Sequence, residues 1–449
     1  MSNTKYTLCL KNGQVMINEQ LVRTNVYITD DKITDISDKN LESEKVIDCN
    51  NLTVLPGVID SQVHFREPGL EGKETLESGM LAAASGGVTS IFEMPNTNPL
   101  TITPETIEDK LNRASKGAWT DYAFYLGGTM RTSPNLSEWE NLKGVCGIKI
   151  FMGASTGDLV TATDEEVEAV VANGRRVIAV HAEDQMIMNE NQKTILGESN
   201  DVSMHCIWRS PESCLSATTR VVNLARKHNR RVHILHITTD KEMEFLSKNK
   251  DVASVELLAN HLSLHAPECY ERLGTLAQQN PPIREKKHQD ALWQALNSGV
   301  GDIVASDHAP HTLEEKSETY PKSPSGTPGV QTLVPIMLNH VNNGKLSLEK
   351  LVSLWSYGPE RIHKISNKGR IKEGYDADFT IVDMDKEMVI ENSQQRSKSK
   401  WTPYDGMKVK GWPTHTIIRG NCVMQDDEIL NQPIGEKINF KETLSLIHI

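Results

Sequence analysis

The sequence predicts an α/β fold, a (β/α)8 TIM barrel, with a small β-sandwich built from both termini. Three observations carry this expectation. Eight short β-rich runs recur between Gly57 and Pro310, with helical patterns between them, the alternation of parallel strands joined by crossover helices. Polar, chemistry-bearing residues fall at the C-terminal ends of nearly all of these runs, where barrel enzymes keep their active sites. No Gly-x-Gly-x-x-Gly segment follows the first run, which weighs against an open doubly wound sheet holding a dinucleotide.

The elements follow in order. Residues 1–55 read as short strands and turns. TLCLKNGQVM is expected to be a hairpin turning at Asn12-Gly13, because that dipeptide adopts the left-handed conformations of a two-residue turn. NVYITDDKITDI repeats the idea at Asp30-Asp31. Residues 56–366 carry the barrel, with strands in GVIDSQVHF, TSIFEMP, YAFYLGG, GIKIFMG, VIAVHAED, VHILHIT, SVELLAN and DIVASDHAP. Between them, Thr103-Pro104 places a capping threonine before a proline at the first helical position. Thr163 and Glu166 form a capping box opening a helix that Gly174 ends. TDKEMEFLSKN and HQDALWQALNSG have helical spacing. Strand-like patterns return in ADFTIVDMD and HTIIRGNCVMQ, so residues 367–449 are expected to join 1–55 in the composite sandwich.

Composition narrows the function. Among 449 residues, Lys plus Arg number 48 and Asp plus Glu 60, a formal charge of −12. With no basic cluster along the chain, a nucleic acid or anionic membrane is not expected as a partner. No apolar run approaches the ~18 residues of a membrane span, and Met1–Lys5 opens without the apolar core of a signal peptide. The seven cysteines are scattered, odd in number and lack a Cys-x-x-Cys pair. That usage argues against a disulfide framework or thiolate zinc knot and predicts a reduced, cytoplasmic chain.

The chemistry lies at the strand ends. Alternate residues of a strand share a face, so Gln62, His64 and Arg66 point the same way. Lys149 sits in an otherwise apolar strand, a costly place for a cation unless it is paired or modified. His181, His236 and Asp307 end three further strands. His233, three residues before His236, faces away and reads as packing or as a residue supporting the site from behind. Any one histidine at a strand end is most simply a hydrogen-bonded structural residue, and Lys149 alone could be a snorkelling lysine. Their convergence at one mouth describes a nitrogen/oxygen metal site without thiolates, suited to zinc with an open position or to a pair of divalent ions.

Several segments resemble the long, class I type of dihydroorotase in the amidohydrolase superfamily: GVIDSQVHFREPG, EMPNTNP, NPPIR, ASDHAPHTLEEK, PSGTPG, KGRIKEGYDADFTIVD and SKSKWTPYDGM, spread over about residues 7–425. The resemblance implies a metal-dependent hydrolase interconverting N-carbamoyl-L-aspartate and L-dihydroorotate in pyrimidine synthesis. By motif, His64, Lys149 (carboxylated), His181, His236 and Asp307 fall on metal-ligand positions, with one or two zinc ions per chain, and Asp307 doubles as general base and acid. Arg66 and Asn96 fall on residues that hold the substrate carboxylate, helped by His311. Asn280 and the Pro324–Gly329 loop fall on ring-contacting positions. Hydantoinase-like and allantoinase-like members generally lack an arginine two places after the metal histidine, because their substrates lack the ring carboxylate.

The sequence departs from the family at Gln62, where a His-x-His pair is usual; an amide is a weaker zinc ligand than imidazole. Gln62 coordinating through oxygen, two ions on a reduced ligand set, and one ion alone all stay open. Lys149 stands where many bacterial relatives have aspartate, favouring a bridging carbamate, and Asn260 stands where histidine is common. The resemblance also implies a homodimer and a possible association with aspartate transcarbamoylase. A non-catalytic transcarbamoylase-binding subunit and another cyclic amidase are the alternative readings.

Overall fold

The computed structural model describes residues 6–154, 159–195 and 199–441. Five strands come first: β1 (Tyr6–Ile17), β2 (Gln20–Thr29), β3 (Lys32–Ser37), β4 (Ser43–Asp48) and β5 (Thr53–Pro56). Eight follow from the barrel: β6 (Val58–Val63), β7 (Val88–Glu93), β8 (Asp121–Gly127), β9 (Val145–Phe151), β10 (Ile178–His181), β11 (Val232–Ile234), β12 (Ala253–Leu258) and β13 (Ile303–Ala305). Last are β14 (Phe379–Val389), β15 (Lys408–Ile418), β16 (Asn421–Gln425) and β17 (Glu428–Ile429).

Strands β6 to β13 pair in sequence order, each parallel to the next. The ring nearly closes just beyond β13, where His64 donates its backbone N–H to the His308 carbonyl at 2.7 Å. Every residue of these eight strands is buried, as expected where side chains fill the barrel on one face and meet helices on the other. Ile59, Phe92, Ala123, Tyr125, Cys146, Ala179 and Leu235 fill the interior, closed off at the base by Ile365 and Ile438. The expected helices form with the expected N-caps, though the helix Asp164–Val171 is capped at Ala172, ahead of the left-handed Gly174. Thr103 and Thr163 accept the N–H groups of Thr106 and Glu166, and the helices Asp240–Ser247 and Lys286–Asn297 follow.

The terminal segments build one nine-stranded sheet, ordered β17-β16-β15-β14-β5-β1-β2-β3, with β4 also on β1. Its core includes Leu10, Val15, Val26, Ile28, Phe379 and Ile417. The expected Asn12-Gly13 hairpin is not a turn. β1 runs straight through it with a bulge between Leu10 and Gly13, and Asn12 takes φ +65°. The left-handed residue bends the strand, so its first half pairs with β4 and its second half with β5, a way for one strand to serve two layers. The turn falls instead at Asn18-Glu19, with φ of +48° and +63°. The Asp30-Asp31 turn forms as expected.

Two stretches of residues 367–449 pack on the barrel instead of the sheet. Residues 391–404 lie across its mouth, with Trp401 Nε1 donating to the His311 carbonyl at 2.8 Å and the Tyr404 hydroxyl to Asn260 Oδ1 at 2.6 Å. Residues 435–441 return to its base, where Ile438 N donates to the Tyr122 carbonyl at 2.9 Å.

The base of the barrel also carries a testable ion pair. Asp302 is paired with Lys250 and with Arg361 (3.0 Å) and accepts the Val255 N–H at 2.8 Å. Burial pushes its carboxyl up, but Lys250 and these hydrogen bonds outweigh burial and hold it below the ordinary value. A depressed folded pKa adds stability above the unfolded value of ~3.9, lost as pH falls through the folded value. Asp302→Asn is therefore expected to cost about 1–3 kcal/mol at neutral pH. In urea denaturation the gap from the parent protein should shrink as pH drops below about 4.

Candidate active site

The C-terminal strand ends meet in one cavity. Gln62, His64, Arg66, Lys149, His181, His236 and Asp307 all line it, with Phe151, Gln279, Asn280, Ala309 and the loop 325–327. The structure therefore gathers the five expected ligands, the arginine and Asn280. It sets Asn96 and His311 just behind this wall.

Hydrogen bonds define what each group offers. Asn96 Oδ1 lies 2.8 Å from His64 Nδ1, so that nitrogen carries the hydrogen and Nε2 keeps a lone pair. Nε2 faces Asp307 Oδ1 at 3.2 Å. Burial, the largest influence, holds His64 below the ordinary histidine value, hence neutral. A lone pair and a carboxylate oxygen thus confront each other, an arrangement that calls for a cation between them. His181 Nε2 lies 2.7 Å from Glu183 Oε2 and donates to it, which turns the Nδ1 lone pair to His236 Nε2 at 3.0 Å. Arg209 in turn holds Glu183 at 3.0 and 3.1 Å. A ligating histidine typically donates its other N–H to a carboxylate in this way. Two nitrogens bound at ~2.1 Å to one ion would themselves lie about 3 Å apart. Burial holds both rings neutral.

Three further donor atoms are left over. Lys149 Nζ, His236 Nδ1 and Gln62 Oε1 are buried and find no hydrogen-bond partner among the described residues, while most buried polar groups do. Lys149 Nζ lies over the Phe151 ring, 4.3 Å from its centroid, and burial pushes its ammonium down to about 7. Gln62 donates Nε2 to Asp307 Oδ1 at 3.0 Å. Burial works to protonate Asp307, but the polar and basic groups around it outweigh burial and hold it below the ordinary value, a carboxylate. Neutral imidazoles, a carboxylate, a desolvated amine and unpartnered oxygen and nitrogen atoms around one cavity fit a divalent cation.

Arg66 is set for an anion. Its Nε donates to the Pro310 carbonyl at 3.2 Å, and its Nη2 lies 3.2 Å from His311 Nε2. Lys73, which can only donate, sits 3.0 Å from His311 Nδ1. Nδ1 is therefore the acceptor, and Nε2 carries the hydrogen that it donates to the Ser325 carbonyl at 3.0 Å. Burial, helped by the Arg66 charge, pushes His311 down to about 3, so it stays neutral. It cannot also accept from Arg66, whose Nη2 donor is thereby left for an anionic guest. Gly326 lets the neighbouring loop approach: at φ +140°, an added Cβ would lie 2.4 Å from the Ala309 carbonyl. Arg66, His236 and Asp307 themselves hold φ of +65°, +40° and +48°, a backbone cost of ~1–3 kcal/mol each that clusters at functional sites.

Sequence reasoning missed Glu183 and Arg209. Strand alternation carried past His181 marks Glu183, but nothing local marks Arg209, which arrives from a distant helix end. It also missed Lys73 and His308, whose Nε2 lies 3.3 Å from the buried Glu74. His205 belongs to the same group, its Nε2 donating to Asn280 Oδ1 at 2.8 Å. His233 faces away from the cavity, its Nδ1 2.9 Å from Ser254 Oγ. A separate trio, Asp121, Asp376 and Asp378, lies away from the mouth; Lys368 Nζ occupies its centre at 2.5, 2.8 and 2.7 Å, making it an ion-pair network.

A parallel barrel with a neutral, desolvated nitrogen/oxygen site at its C-terminal mouth and a buried arginine beside it defines a class of barrel hydrolases. The chain belongs to the amidohydrolase family, whose sequence model matches residues 53–423. It is 36% identical over 430 residues to the dihydroorotase of Pyrococcus abyssi, covering 95% of this chain and 97% of that protein. To the dihydroorotase of Methanosphaera stadtmanae it is 34% identical over 431 residues, covering 94% and 97%. Among solved structures, an L-hydantoinase (dihydropyrimidinase) from Arthrobacter aurescens superposes with a TM-score of 0.92 at 29% identity, covering 96% of this chain and 99% of its own.

Proposed function

We propose that this protein is a dihydroorotase, catalysing the reversible hydrolysis of the cyclic amide of L-dihydroorotate to N-carbamoyl-L-aspartate in pyrimidine biosynthesis. The observation that carries this reading is Arg66, a buried guanidinium with an uncommitted donor beside the cation-ready cavity. L-dihydroorotate has a cyclic amide to open and a fixed carboxylate to grip, and the relatives named dihydroorotase support it.

His64, Lys149, His181, His236 and Asp307 would hold one or two divalent ions, zinc by their donor types. Such an ion supplies Lewis acidity and lowers the pKa of water towards ~7. The chain's own groups do the rest. Asp307 takes a proton from the attacking water and returns it to the departing ring nitrogen. Arg66 and Asn96 hold the carboxylate, Arg66 through charge-assisted hydrogen bonds, while the neutral His311 fixes the clamp's floor. Asn280 and the loop 325–327 face the ring. With its ammonium pushed down to about 7, Lys149 presents much uncharged amine. That form adds carbon dioxide, losing one proton to give an anionic carbamate. The reading includes a cytoplasmic homodimer with a possible transcarbamoylase partner; unpaired cysteines support the reducing location.

Ring opening of L-dihydroorotate by purified protein, with elemental analysis beside it, is the direct test. Turnover with about one or two zinc ions per chain is expected. A metal-free, inactive chain that co-purifies with a transcarbamoylase would replace this reading with the scaffold one. Gln62→His is expected to raise metal content by up to about one ion per chain, because imidazole binds zinc better than an amide. Unchanged content in elemental analysis would mean that Gln62 serves only Asp307.

A further inference from the structure

The opposite end of the barrel carries a second, basic cleft. Along the chain its cations are short, separated pairs, Arg175-Arg176 and Arg230-Arg231; the fold joins them. Arg175 and Arg176 precede β10, and Arg230 and Arg231 precede β11. Arg361 lies in the helix Gly358–His363, Lys364 caps it, and Lys441 donates its backbone N–H to the Lys364 carbonyl at 2.8 Å. The cleft they line encloses about 300 Å³, at the lower end of ligand-pocket sizes of roughly 300–1,000 Å³.

Helix C-termini point to this end of a barrel, and cations suit them. Arg230 is used in that way, on Glu140 at 3.1 Å and the carbonyl of Arg176 at 3.0 Å. Arg361 pairs with Asp302 at 3.0 Å and Lys441 with Glu360 at 3.2 Å. Arg175, Arg176, Arg231 and Lys364 differ: among the described residues, none forms an ion pair with a carboxylate. Arg176 gives Nη1 to the Val145 carbonyl at 2.9 Å, yet its buried Nε finds no acceptor among the described residues. Burial and the charges of Arg231, Arg361 and Lys441 hold Lys364 below the ordinary lysine value. This is like-charge crowding, offset only in part by Glu360 at Lys364 and by Asp302 and Asp251 at Arg231, in a protein whose net charge is −12.

The floor is uncharged. Cys146, Val177 and Ile362 lie there with His363, whose ring burial pushes down to about 3. We propose that this cleft binds a nucleoside di- or triphosphate, its phosphates on Arg175, Arg176, Arg231 and Lys364 and its base against Cys146, Val177 and Ile362. Guanidinium groups recognise phosphate oxygens in pairs, and an apolar floor beneath them is what a planar base needs. An acidic peptide would need the charge but not the enclosed floor.

Calorimetric titration of the full chain at about 0.15 M salt, which is independent of the ring-opening assay, tests this. ATP is expected to bind saturably, tripolyphosphate at least about tenfold more weakly, and adenosine not measurably. Arg231→Gln/Lys364→Gln should weaken ATP binding at least about tenfold while leaving circular dichroism, melting temperature and ring opening unchanged; Lys364→Gln alone serves if the double variant does not fold. Absent ATP binding overturns the proposal. So does tripolyphosphate binding as tightly as ATP, binding of a polyglutamate peptide but not ATP, or undiminished ATP affinity in the variants.

Discussion

Asp307→Asn is expected to lower the turnover of L-dihydroorotate by about 10²- to 10⁴-fold, the usual contribution of a positioned acid–base group, with a much smaller change in KM. The substitution keeps the shape. An asparagine amide can donate towards the lone pair of His64 Nε2, where the carboxylate now stands at 3.2 Å, and its carbonyl can still accept from Gln62 Nε2, now at 3.0 Å. Folding should therefore survive, and melting temperature checks it. What disappears is the proton acceptor, a carboxylate that stays below its ordinary value against the pull of burial. Elemental analysis of the variant separates the two roles given to Asp307. Turnover abolished with metal content retained marks the base; both abolished together marks the ligand. Retained turnover would remove Asp307 from the chemistry.

The barrel and its mouth were legible because parallel strands buried on both faces leave an unbroken signal, and because side-chain alternation makes Gln62, His64 and Arg66 share a direction. That rule needs no tertiary information. Lys149 was legible for the opposite reason, as a cation where the pattern demands an apolar residue. The groups that tune the site were harder to see. Arg209 fixes Glu183 from 26 residues away, and Lys73 sets the His311 tautomer from 238 residues away; neither relation leaves a local trace. Asn12-Gly13 shows the limit of a local signal that was correctly seen. The left-handed residue is there at φ +65°, but whether it turns the chain or bulges it depends on which strands pair alongside. The basic cleft is the same lesson in charge: two arginine pairs that say little alone become one surface when β10 and β11 lie side by side.

Arg66→Met should change which ring the protein opens. Removing one partner of a buried charged contact costs about 2–5 kcal/mol, so kcat/KM for L-dihydroorotate is expected to fall by about 30- to 4,000-fold, mostly through KM. Dihydrouracil, which shares the ring and lacks the carboxylate, should lose nothing from the same substitution. The variant protein tolerates the change on physical grounds. Methionine and arginine pay the same backbone cost at φ +65°, and an apolar side chain relieves the desolvation that pulls this guanidinium down to about 10. Methionine forgoes the hydrogen bond that Nε donates to the Pro310 carbonyl at 3.2 Å, a small deficit beside that relief. The ratio of the two substrates is the decisive quantity, since a general loosening of the mouth would depress both alike. Equal losses would make Arg66 a brace for the Pro310 loop and leave the carboxylate without its clamp; a loss confined to dihydroorotate ties the identity of the substrate to the guanidinium that the neutral His311 leaves unanswered.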